Sequence, residues 1–392
     1  MNTSTIRLLF IVNKLKRRGA EQQLFSFIKA LPPQFGVTIF RFSNTPNEYP
    51  ELFQYESVRI VSNDHAGTFN LFKFFPLIKH LKKNTYDAAI TVGLGAALFI
   101  GRICAYASGI SVVYSLLNTF ENFHNLPRLA GQYFDILNKI LNYLLVHQSG
   151  SVYRFFPNSE GLSAKLRPQL NGYPIHTLYN GLPSEDFDWV HHSTGVEQTN
   201  ALLQKIDRRP VIVQVGALDD VKNHFFTLRC LKEIRKTVPQ VCYLIIGSGD
   251  NSADYMHWIK RNDLVDNVIF AGQMNRLDCL YLISKSNLLV LTSKSESFPN
   301  VLMEAQALST PVVSFDVGAA SEIVAHGRTG YIVKKNDESA FISCVSKILD
   351  DEERASNMGD LGRQRVLQLF AMDIKIKRFV HFIQADIAST HV

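Results

Sequence analysis

The sequence predicts an α/β fold with two doubly wound parallel-sheet domains, and three observations support this class. The chain of 392 residues is too long for one typical core, so two domains are expected. A hydrophobic fraction of 46% supports globular folding throughout. In each half, short apolar runs alternate with amphipathic stretches, which is the pattern of a parallel sheet covered by helices.

The first half contains five apolar runs that we interpret as strands. The strands are predicted over 6–13, 35–42, 57–61, 87–92 and 111–116, and the helices over 20–31, 70–83, 95–108, 128–149 and 160–170. Ser159 is the expected N-cap of the last helix, because its hydroxyl can accept a hydrogen bond from a backbone N–H of the first turn. Ligands of such a sheet bind at the carboxyl ends of the strands.

The second half repeats the alternation of strands and helices. Its strands are predicted over 210–216, 241–247, 267–271, 287–291, 311–315 and 330–333. The first domain is expected to cover 1–183 and the second 209–370, with a polar interdomain linker over 184–208. Residues 371–392 follow as a final helix that has one apolar face.

The composition excludes several classes of protein. No stretch reaches about eighteen uninterrupted apolar residues, so no membrane-spanning helix is predicted. The apolar run near the N-terminus is interpreted as the first strand, because no small-residue cleavage site of a signal peptide follows it. The five cysteines lack metal-ligand spacing and are odd in number, which predicts buried thiols in a reducing cytoplasm, without zinc or disulfides.

The net charge of +6 is unevenly distributed. Residues 1–180 contain 18 Lys and Arg against 9 Asp and Glu, or +9, and the remainder contains 23 against 26, or −3. No nucleic-acid motif accompanies the basic half, so anionic lipid head groups or a phosphate-bearing acceptor are the expected partners, and nucleic acid is not. The helix around 70–83 is either a membrane-facing amphipathic surface or an ordinary sheet-covering helix. The expected location is the cytoplasm, with peripheral association with the inner face of the membrane.

The stretch 291–313 is the strongest candidate for a ligand site. It opens at the end of an apolar run that reads as a buried strand, passes through a polar turn, and is expected to begin a helix at or just after Pro299. Proline suits a first helical position because it has no N–H to leave unpaired. The N–H groups of Asn300, Val301 and Leu302 are then expected to be free to bind an anion, of which phosphate is the natural example.

Two carboxylates flank this helix start. Glu296 lies in the loop, and Glu304 lies about one turn inside the helix. A carboxylate does not usefully face a phosphate, so each is expected to accept hydrogen bonds from hydroxyl groups on either side of it. A ligand with a phosphate at the helix start and a hydroxyl group on either side of it is a sugar nucleotide. The alternative is that Glu296 is a solvated loop residue and Glu304 an ordinary first-turn acid.

The residues around these acids resemble the signature of the retaining glycosyltransferases of family four, which have the GT-B fold. The matching elements are Glu296 and Glu304 with seven residues between them, Glu304-Ala305, Pro311-Val312-Val313, Gly318, Glu322-Ile323-Val324 and the run 327–333. The resemblance implies two Rossmann-like domains that face each other across a cleft, with the nucleotide-sugar donor held mainly by the second. It also implies that the final helix crosses back onto the first domain.

The resemblance also implies roles for individual residues. Glu296 would position the donor sugar, and Glu304 would bind the ribose hydroxyls. The run 268–274 resembles the loop that recognises the nucleotide base through backbone groups. The remaining donor-binding residues are expected to be Gly19, Gly216, Gly272, Met274, Phe298, Asn300, Val301 and Leu302.

The cations expected at the donor diphosphate differ from the family pattern. The segment KLKRRGAE resembles the family's GGAE turn and retains Gly19, but Arg18 replaces the first glycine. Arg18 is either a phosphate contact or a solvated charge. After the first strand of the second domain, Lys222 matches the family's lysine and is assigned a catalytic role, whereas Ala217 stands where an arginine is usual. Arg18 is therefore a candidate substitute for the missing cation.

The acceptor side departs from the family pattern as well. Many members have a histidine in the loop after the fifth strand, near the donor sugar and the acceptor. This chain has Leu117 and Asn118 in that place, and His124 lies several residues downstream. His124 either replaces the family histidine or is a structural residue in an aromatic loop.

The expected function is that of a retaining, metal-independent glycosyltransferase that moves a sugar to a glycan or lipid-linked glycan in bacterial surface-polysaccharide assembly. No cofactor is predicted, because Lys222, the helix start at Pro299 and the Gly19 turn would stabilise the departing diphosphate. Two alternatives stay open. One is a donor-binding scaffold subunit without catalysis, suggested by Ala217 and the missing histidine. The other is a sugar-nucleotide epimerase or a phosphorylase.

Overall fold

The computed structural model describes a large part of the chain, and the described residues form two units. They are residues 5–13, 19–42, 58–62, 74–93, 96–118, 140, 143, 150–168, 170, 173–192, 197–206 and 208–390. Unit 1 comprises Met1–Gly181 and Met372–Val392, and unit 2 comprises Leu182–Ala371. Each unit contains a six-stranded sheet in which all pairings are parallel. The predicted α/β class with two doubly wound parallel sheets is confirmed.

Unit 1 has the strand order β3-β2-β1-β4-β5-β6. Its strands are β1 (Ile6–Val12), β2 (Phe35–Arg41), β3 (Val58–Ser62), β4 (Ala88–Val92), β5 (Val112–Leu117) and β6 (Val152–Pro157). Its helices are α1 (Gly19–Lys29), α2 (Phe74–Lys83), α3 (Ala96–Ala107), α4 (Glu160–Leu166) and, from the end of the chain, α14 (Met372–Thr390). In this Rossmann order the direction of winding reverses between β1 and β4, where ligands of such sheets bind.

The first five strands of unit 1 lie within one residue of the predicted runs, but β6 was not predicted. Its sequence, VYRFFP, contains an arginine and a proline that obscure the apolar pattern of a buried strand. Parallel pairing with β5 fixes this segment as a strand. The predicted N-cap is present, since the Ser159 side chain accepts a hydrogen bond from Leu162 N at 3.1 Å. The predicted helix 128–149 falls almost wholly outside the described residues.

The final helix, α14, completes the core of unit 1. Met372, Ile376, Phe379 and Ile383 are buried with strand residues of one sheet face. A partly buried ion pair fixes the far end of the helix, because Arg154 donates two hydrogen bonds of 2.6 Å to the Asp386 carboxylate. The Tyr114 hydroxyl donates to the same carboxylate. Among the helices that the structure describes, none is sufficiently long and apolar to cross a membrane.

Unit 2 has the equivalent strand order, β12-β11-β10-β7-β8-β9. Its strands are β7 (Val211–Val215), β8 (Cys242–Ile246), β9 (Val268–Gly272), β10 (Leu288–Leu291), β11 (Val312–Phe315) and β12 (Tyr331–Val333), each within one residue of its predicted run. Its helices are α5 (Ser184–His192), α6 (Glu197–Ile206), α7 (His224–Thr237), α8 (Ser252–Arg261), α9 (Arg276–Ser284), α10 (Asn300–Ala307), α11 (Ala320–Ile323), α12 (Glu338–Leu349) and α13 (Glu352–Phe370).

The prediction of a polar linker over 184–208 is wrong. Helices α5 and α6 occupy this segment, belong to unit 2 and pack against α9. The buried apolar residues of each helix are spaced three or four positions apart: Phe187 and Val190 in α5, and Leu202 and Ile206 in α6. Two short helices need only such a narrow apolar stripe, so the polar average composition concealed them.

Helix α10 is held in place by the close approach of α13. At Gly359 of α13, a Cβ atom would lie 2.0 Å from Ser309 O, just beyond the end of α10. At Gly362, one turn later, a Cβ atom would lie 3.2 Å from Gln306 Cγ, which is a side-chain atom. Only Gly359 therefore brings backbone against backbone.

We predict that Gly359→Ala lowers the free energy of unfolding by about 1–3 kcal/mol, because α13 must move away from Ser309. This loss is expected despite the higher helix propensity of alanine, which favours the variant by up to about 1 kcal/mol. Gly362→Ala makes the same chemical change where the neighbour is a side chain that must shift by only a few tenths of an ångström, and it serves as the comparison. Chemical denaturation of both variants measures the difference. Equal stabilities for the two variants would contradict the packing argument.

Candidate functional site

The loop 216–223 follows β7 at the carboxyl edge of the unit 2 sheet. Backbone hydrogen bonds fix its beginning: Gly216 N donates to Ile246 O at 2.9 Å, and Leu218 N donates to Ser248 O at 3.0 Å. A Cβ atom on Gly247 would lie 1.9 Å from Gly216 O, so this close approach requires a glycine. The start of the loop is thereby held against the end of β8.

Lys222 and Glu296 form an ion pair at this edge of the sheet. Lys222 Nζ lies 2.6 Å from Glu296 Oε1, and the two side chains are 28% and 15% exposed. The Lys222 stem passes over Gly216, where a Cβ atom would lie 2.9 Å from Lys222 Cγ and Cδ. The structure therefore brings together the two residues that the sequence analysis assigned to catalysis, and Gly216 makes room for their contact.

The loop that carries Glu296 is fixed from its other side by Gly318. A Cβ atom on Gly318 would lie 2.5 Å from Glu296 O and 2.4 Å from Ser297 O, and its φ of +56° also favours glycine. Ala319 N donates to Ser297 O at 2.9 Å. The backbone around Glu296 is thus packed against the turn that follows β11.

A buried polar network supports the Lys222 loop from below. Gln214 Nε2 donates to Lys222 O at 2.9 Å, and the hydroxyls of Thr227 and Tyr243 each lie 2.7 Å from Gln214 Oε1. Thr292, at the end of β10, lies 3.2 Å from Gln214 Nε2 and 3.1 Å from the Thr227 hydroxyl. These side chains are all at most 1% exposed. A buried network satisfied in this way fixes backbone positions.

His224 joins the same network and is held neutral. Its Nε2 lies 3.2 Å from Ala217 O and its Nδ1 lies 2.9 Å from the Tyr243 hydroxyl. A carbonyl oxygen only accepts, so the hydrogen bond to Ala217 O requires a proton on Nε2. Burial lowers the pKa of His224 to about 4. The histidine thus ties the exposed Ala217 to the core of the unit.

Helix α10 begins at Asn300 with Pro299 in front of it, as the sequence predicted. The expectation that the Leu302 N–H is free is wrong, because it donates to Pro299 O at 3.0 Å. The Phe298 side chain, whose role in donor binding stays a prediction, is almost fully buried. It is 6% exposed and packs edge to face on Phe370 with 5.8 Å between ring centroids.

Glu304 is paired with an arginine that the sequence analysis missed. Arg276 Nη1 donates to Glu304 Oε1, and Arg276 Nε donates to Asp186 Oδ2 at 2.8 Å. Burial alone lowers the pKa of Arg276, but the carboxylates of Glu304 and Asp186 outweigh burial and raise it above its ordinary value. The guanidinium thereby fixes one Glu304 oxygen and links α5, α9 and α10.

A sequence signal for Arg276 existed. It is the first residue of α9, directly after the N-cap Asn275, whose side chain accepts from Asp278 N at 3.0 Å. A cation at the positive end of a helix dipole is unfavourable unless acids compensate it. An arginine in that position therefore indicates nearby carboxylates.

The segment predicted to contact the nucleotide base directly precedes Arg276. Gly272 ends β9 with a φ of +75°, and its carbonyl accepts from Gly247 N at 2.9 Å. Met274 is partly buried and is followed by the N-cap of α9. The predicted base segment and Arg276, the partner of Glu304, are therefore neighbours along the chain.

Some predicted site residues lie in unit 1. Gly19 is the first residue of α1, and Asn118 follows β5 and lines a pocket at the carboxyl edge of the sheet. Arg18 and His124 lie outside the described residues, so their roles stay predictions. At the position of the family's arginine, Ala217 offers only its carbonyl, which His224 binds.

An aspartate pair with Asp-x-Asp spacing, Asp186-Phe187-Asp188, bears on the expectation of a metal-free site. Asp186 is bonded to Arg276 at 2.8 Å, so a guanidinium already occupies one of its oxygens. Within the described ranges, no group of three or more His, Cys, Asp and Glu side chains is arranged to hold a metal ion.

Comparison with known proteins shows which family and which structures this chain resembles. Residues 197–365 match the model of the family described as glycosyl transferases group 1. The structure resembles that of Anabaena HepE in complex with UDP, with a TM-score of 0.78, 17% identity, and 97% and 100% of the two chains covered. A Rickettsia africae glycosyltransferase gives a TM-score of 0.78 at 16% identity, with 98% and 99% covered. These two likenesses concern the fold, which is GT-B.

Curated relatives match part of the chain. N-acetyl-alpha-D-glucosaminyl L-malate synthase of Bacillus anthracis is 30% identical over 136 residues, which are 35% of each chain. The Staphylococcus aureus capsular polysaccharide biosynthesis glycosyltransferase CapM is 32% identical over 169 residues, or 42% of this chain and 43% of that protein. The match therefore spans less than half of these relatives. The resemblance to a GT-B glycosyltransferase is confirmed, and the part of the chain that carries it is residues 197–365, which match the glycosyl transferases group 1 model.

We predict that the low pKa of His224 makes stability depend on pH. The unfolded state takes up a proton near pH 6.5 and the folded state only near pH 4, so stability is full above pH 6.5 and falls as the pH drops towards 4. The loss attributable to His224 is about 3 kcal/mol. His224→Gln keeps a donor and an acceptor but does not titrate. Denaturation curves of both proteins at pH 7.5 and 4.5 measure the effect, and equal pH dependence would contradict it.

Proposed function

We propose that this chain is a retaining, metal-independent glycosyltransferase that uses a nucleotide-sugar donor bound by unit 2. The observation that carries the proposal is the Lys222–Glu296 ion pair, 2.6 Å long and partly exposed at the carboxyl edge of the sheet. Ligands of such sheets bind at this edge. The match of residues 197–365 to the group 1 model supports the same conclusion.

In the proposed mechanism, Lys222 stabilises the leaving group. The nucleoside diphosphate gains negative charge as the sugar departs, and a preorganised ammonium group lowers the energy of that state. The buried network binds the Lys222 carbonyl, and Gly216 leaves space for the Lys222 side-chain stem. Together they fix the position of the ammonium group. The first turn of α10, which contains Val301, is the positive end of the helix dipole and also stabilises this negative charge. The acceptor attacks on the face that the leaving group departs from, which retains the anomeric configuration.

The two acids have different proposed roles. Glu296 Oε1 holds Lys222, and its second oxygen binds a hydroxyl of the donor sugar. Arg276 holds Glu304 Oε1, and the second oxygen of Glu304 accepts a hydrogen bond from a hydroxyl of the ribose. Each acid thus uses one oxygen for a protein cation and the other for substrate, which keeps both carboxylates oriented. The segment 272–274 binds the base.

The names of relatives suggest the donors and the pathway to test. The Anabaena structures contain UDP and UDP-glucose, and a Mycolicibacterium smegmatis relative is a GDP-mannose-dependent mannosyltransferase. UDP-glucose and GDP-mannose are therefore the first donors to test. The capsular role in the name of the Staphylococcus aureus relative supports a glycan or lipid-linked glycan acceptor in surface-polysaccharide assembly at the cytoplasmic face of the membrane.

We expect the purified protein to release nucleoside diphosphate from one donor only when an acceptor glycan is added, and to do so in the presence of EDTA. Product release without acceptor would indicate an epimerase or hydrolase. Donor binding without turnover against any acceptor would indicate a scaffold subunit. Loss of activity in EDTA, with recovery on adding magnesium, would contradict metal independence. The anomeric configuration of the product, read by NMR, tests retention.

Replacing Glu304 by Ala is expected to raise the donor dissociation constant about tenfold or more, since a charge-assisted hydrogen bond is worth about 1.5–3 kcal/mol. Glu352→Gln removes an exposed carboxylate of the same unit and is the matched control. Isothermal titration calorimetry with the donor measures both. A dissociation constant unchanged by Glu304→Ala removes the ribose assignment.

Lys222→Met is expected to lower kcat by about 10²–10³-fold while donor affinity changes much less, because the ammonium acts mainly on charge that develops in the transition state. Lys294→Met, an exposed lysine of the adjoining loop, provides the control for the lost charge. Steady-state kinetics and donor titration of each variant separate the two effects. A fall in affinity that accounts for the whole loss of kcat/KM would place Lys222 in ground-state binding instead.

A further inference from the structure

Three side chains that meet at the start of α9 leave part of their hydrogen-bonding capacity unused. Arg276 Nε donates to Asp186 Oδ2 at 2.8 Å, and Arg276 Nη1 donates to Glu304 Oε1. The side chains of Arg276, Asp186 and Glu304 are 26%, 20% and 13% exposed, respectively. All three belong to unit 2. Neither Asp186 nor Arg276 is among the elements through which the sequence resembles the glycosyltransferase family, so that resemblance gives neither of them a role.

The third nitrogen of the Arg276 guanidinium, Nη2, has no acceptor among the described residues. A guanidinium group has five N–H donors, and the cluster uses only Nε and Nη1. The buried side-chain polar atoms that lack a partner, within the described ranges, are Asn158 Oδ1, Ser293 Oγ and Gln306 Oε1. Because Nη2 is not one of these buried atoms, it is open to solvent and to a ligand.

The second oxygen of Glu304, Oε2, is open in the same way. It accepts from none of the residues that the structure describes, and it is not one of the buried atoms without a partner. Nη2 and Oε2 flank the contact between Nη1 and Oε1, because each is bonded to the same carbon as one of the contacting atoms. A hydroxyl group both donates and accepts, so a single ligand hydroxyl can accept from Nη2 and donate to Oε2.

The charge of the cluster favours a neutral ligand group. Two carboxylates and one guanidinium carry a net charge of −1. Like charges at such short range repel each other, which disfavours a phosphate here. A hydroxyl carries no charge and satisfies both open atoms at once. The cluster is therefore suited to a hydroxyl of the ligand and not to its phosphates.

Asp186 fixes the direction in which Nη2 points. The guanidinium group is planar and its N–H groups form a rigid fork. Its two hydrogen bonds lead to two different helices, since Asp186 lies in α5 and Glu304 in α10, and both helices pack against α9. Two bonds in different directions fix the plane, whereas a guanidinium held by Glu304 alone could turn about that single contact. The Nη2 donors are thus oriented before any ligand binds.

We propose that Arg276 binds the donor directly: its Nη2 donates to a ribose hydroxyl, and the same hydroxyl donates to Glu304 Oε2. Asp186 is a positioning residue that holds the guanidinium in place. This inference rests on the proposed function, which assigns the ribose to Glu304. It adds a second ribose contact and the requirement that the nucleotide carry this hydroxyl, which a deoxyribose lacks.

The test measures binding of nucleoside diphosphates to the full chain by isothermal titration calorimetry, without sugar and without acceptor. The probes are UDP, 2′-deoxy-UDP and 3′-deoxy-UDP, with the corresponding three forms of GDP. One deoxy form is expected to bind about tenfold or more weakly than its parent, because hydrogen bonds to two charged groups are lost. The weaker deoxy form identifies the hydroxyl that is bound. Equal affinity for the three forms, or no binding of UDP and GDP, would overturn the proposal.

Two variants separate a direct contact of Arg276 from mere support of Glu304. In Glu304→Ala, Asp186 still holds Arg276 Nε. A preference of about threefold or more for the parent nucleotide is therefore expected to remain. In the double variant Glu304→Ala/Arg276→Met, this remainder is expected to disappear. A preference lost completely in Glu304→Ala alone would show that Arg276 acts only through Glu304, and would overturn the direct contact.

Arg276→Lys keeps a cation beside Glu304 but lacks the rigid fork of N–H groups. It is expected to lose most of the preference, and it provides the test if Arg276→Met does not fold. Arg261→Met removes an exposed arginine of the same unit and is expected to keep the preference. A full preference in Arg276→Lys would show that charge alone suffices, and a loss in Arg261→Met equal to that in Arg276→Lys would show diffuse charge. Either result would overturn the proposal.

The positioning role of Asp186 has its own pair of variants. Asp186→Asn retains an oxygen that can accept from Arg276 Nε, and it is expected to keep most of the preference for the parent nucleotide. Asp186→Ala leaves Nε without its partner and is expected to lose most of it. An equal loss in the two variants, or no loss in Asp186→Ala, would overturn this role.

Because no sugar is transferred, these measurements are independent of the reaction. Ribose selectivity through Arg276 in a protein without acceptor-dependent transfer would leave the site standing and remove the proposed function. Transfer activity in a protein whose nucleotide binding ignores the ribose hydroxyls would do the reverse.

Discussion

The contact between Lys222 and Glu296 is the constraint around which unit 2 is arranged. Two charged side chains from different loops meet at 2.6 Å, and both loops are held by close backbone packing that requires glycine. Gly216 leaves room for the lysine stem, and Gly318 leaves room for the carbonyls of the acid's loop. An ion pair that is partly exposed stabilises a protein little by itself. Its geometry therefore comes from the surrounding backbone and from the hydrogen-bonded core beneath it.

That core is polar where a parallel sheet is normally apolar. Gln214, Thr227, Tyr243 and Thr292 are buried side by side at the carboxyl edge, and each has partners in the others. Apolar residues of the same size would fill the space equally well, but they would not hold the Lys222 carbonyl. The network therefore determines the position of the loop more than the stability of the unit.

The sequence predicted eleven of the twelve strands to within one residue, because buried parallel strands have continuous apolar runs with clear ends. It missed β6, whose arginine serves the ion pair with Asp386, and it missed α5 and α6, whose buried residues are few. At the site, the motif identified Glu296, Glu304 and Lys222. The partners of these residues depend on contacts between distant segments, and no local pattern encodes that Arg276 reaches both Asp186 and Glu304.

The return of the chain to unit 1 sets an order of events during translation. Residues 182–371, which form unit 2, leave the ribosome before α14 does. Until α14 arrives, Phe27 and Tyr114 lack their ring contacts with Phe379, and Arg154 lacks its carboxylate. The half of the protein that is synthesised first is thus the half that is completed last. Nascent unit 1 keeps an apolar sheet face uncovered for the time needed to synthesise about two hundred further residues, and this is the face that chaperones would have to protect.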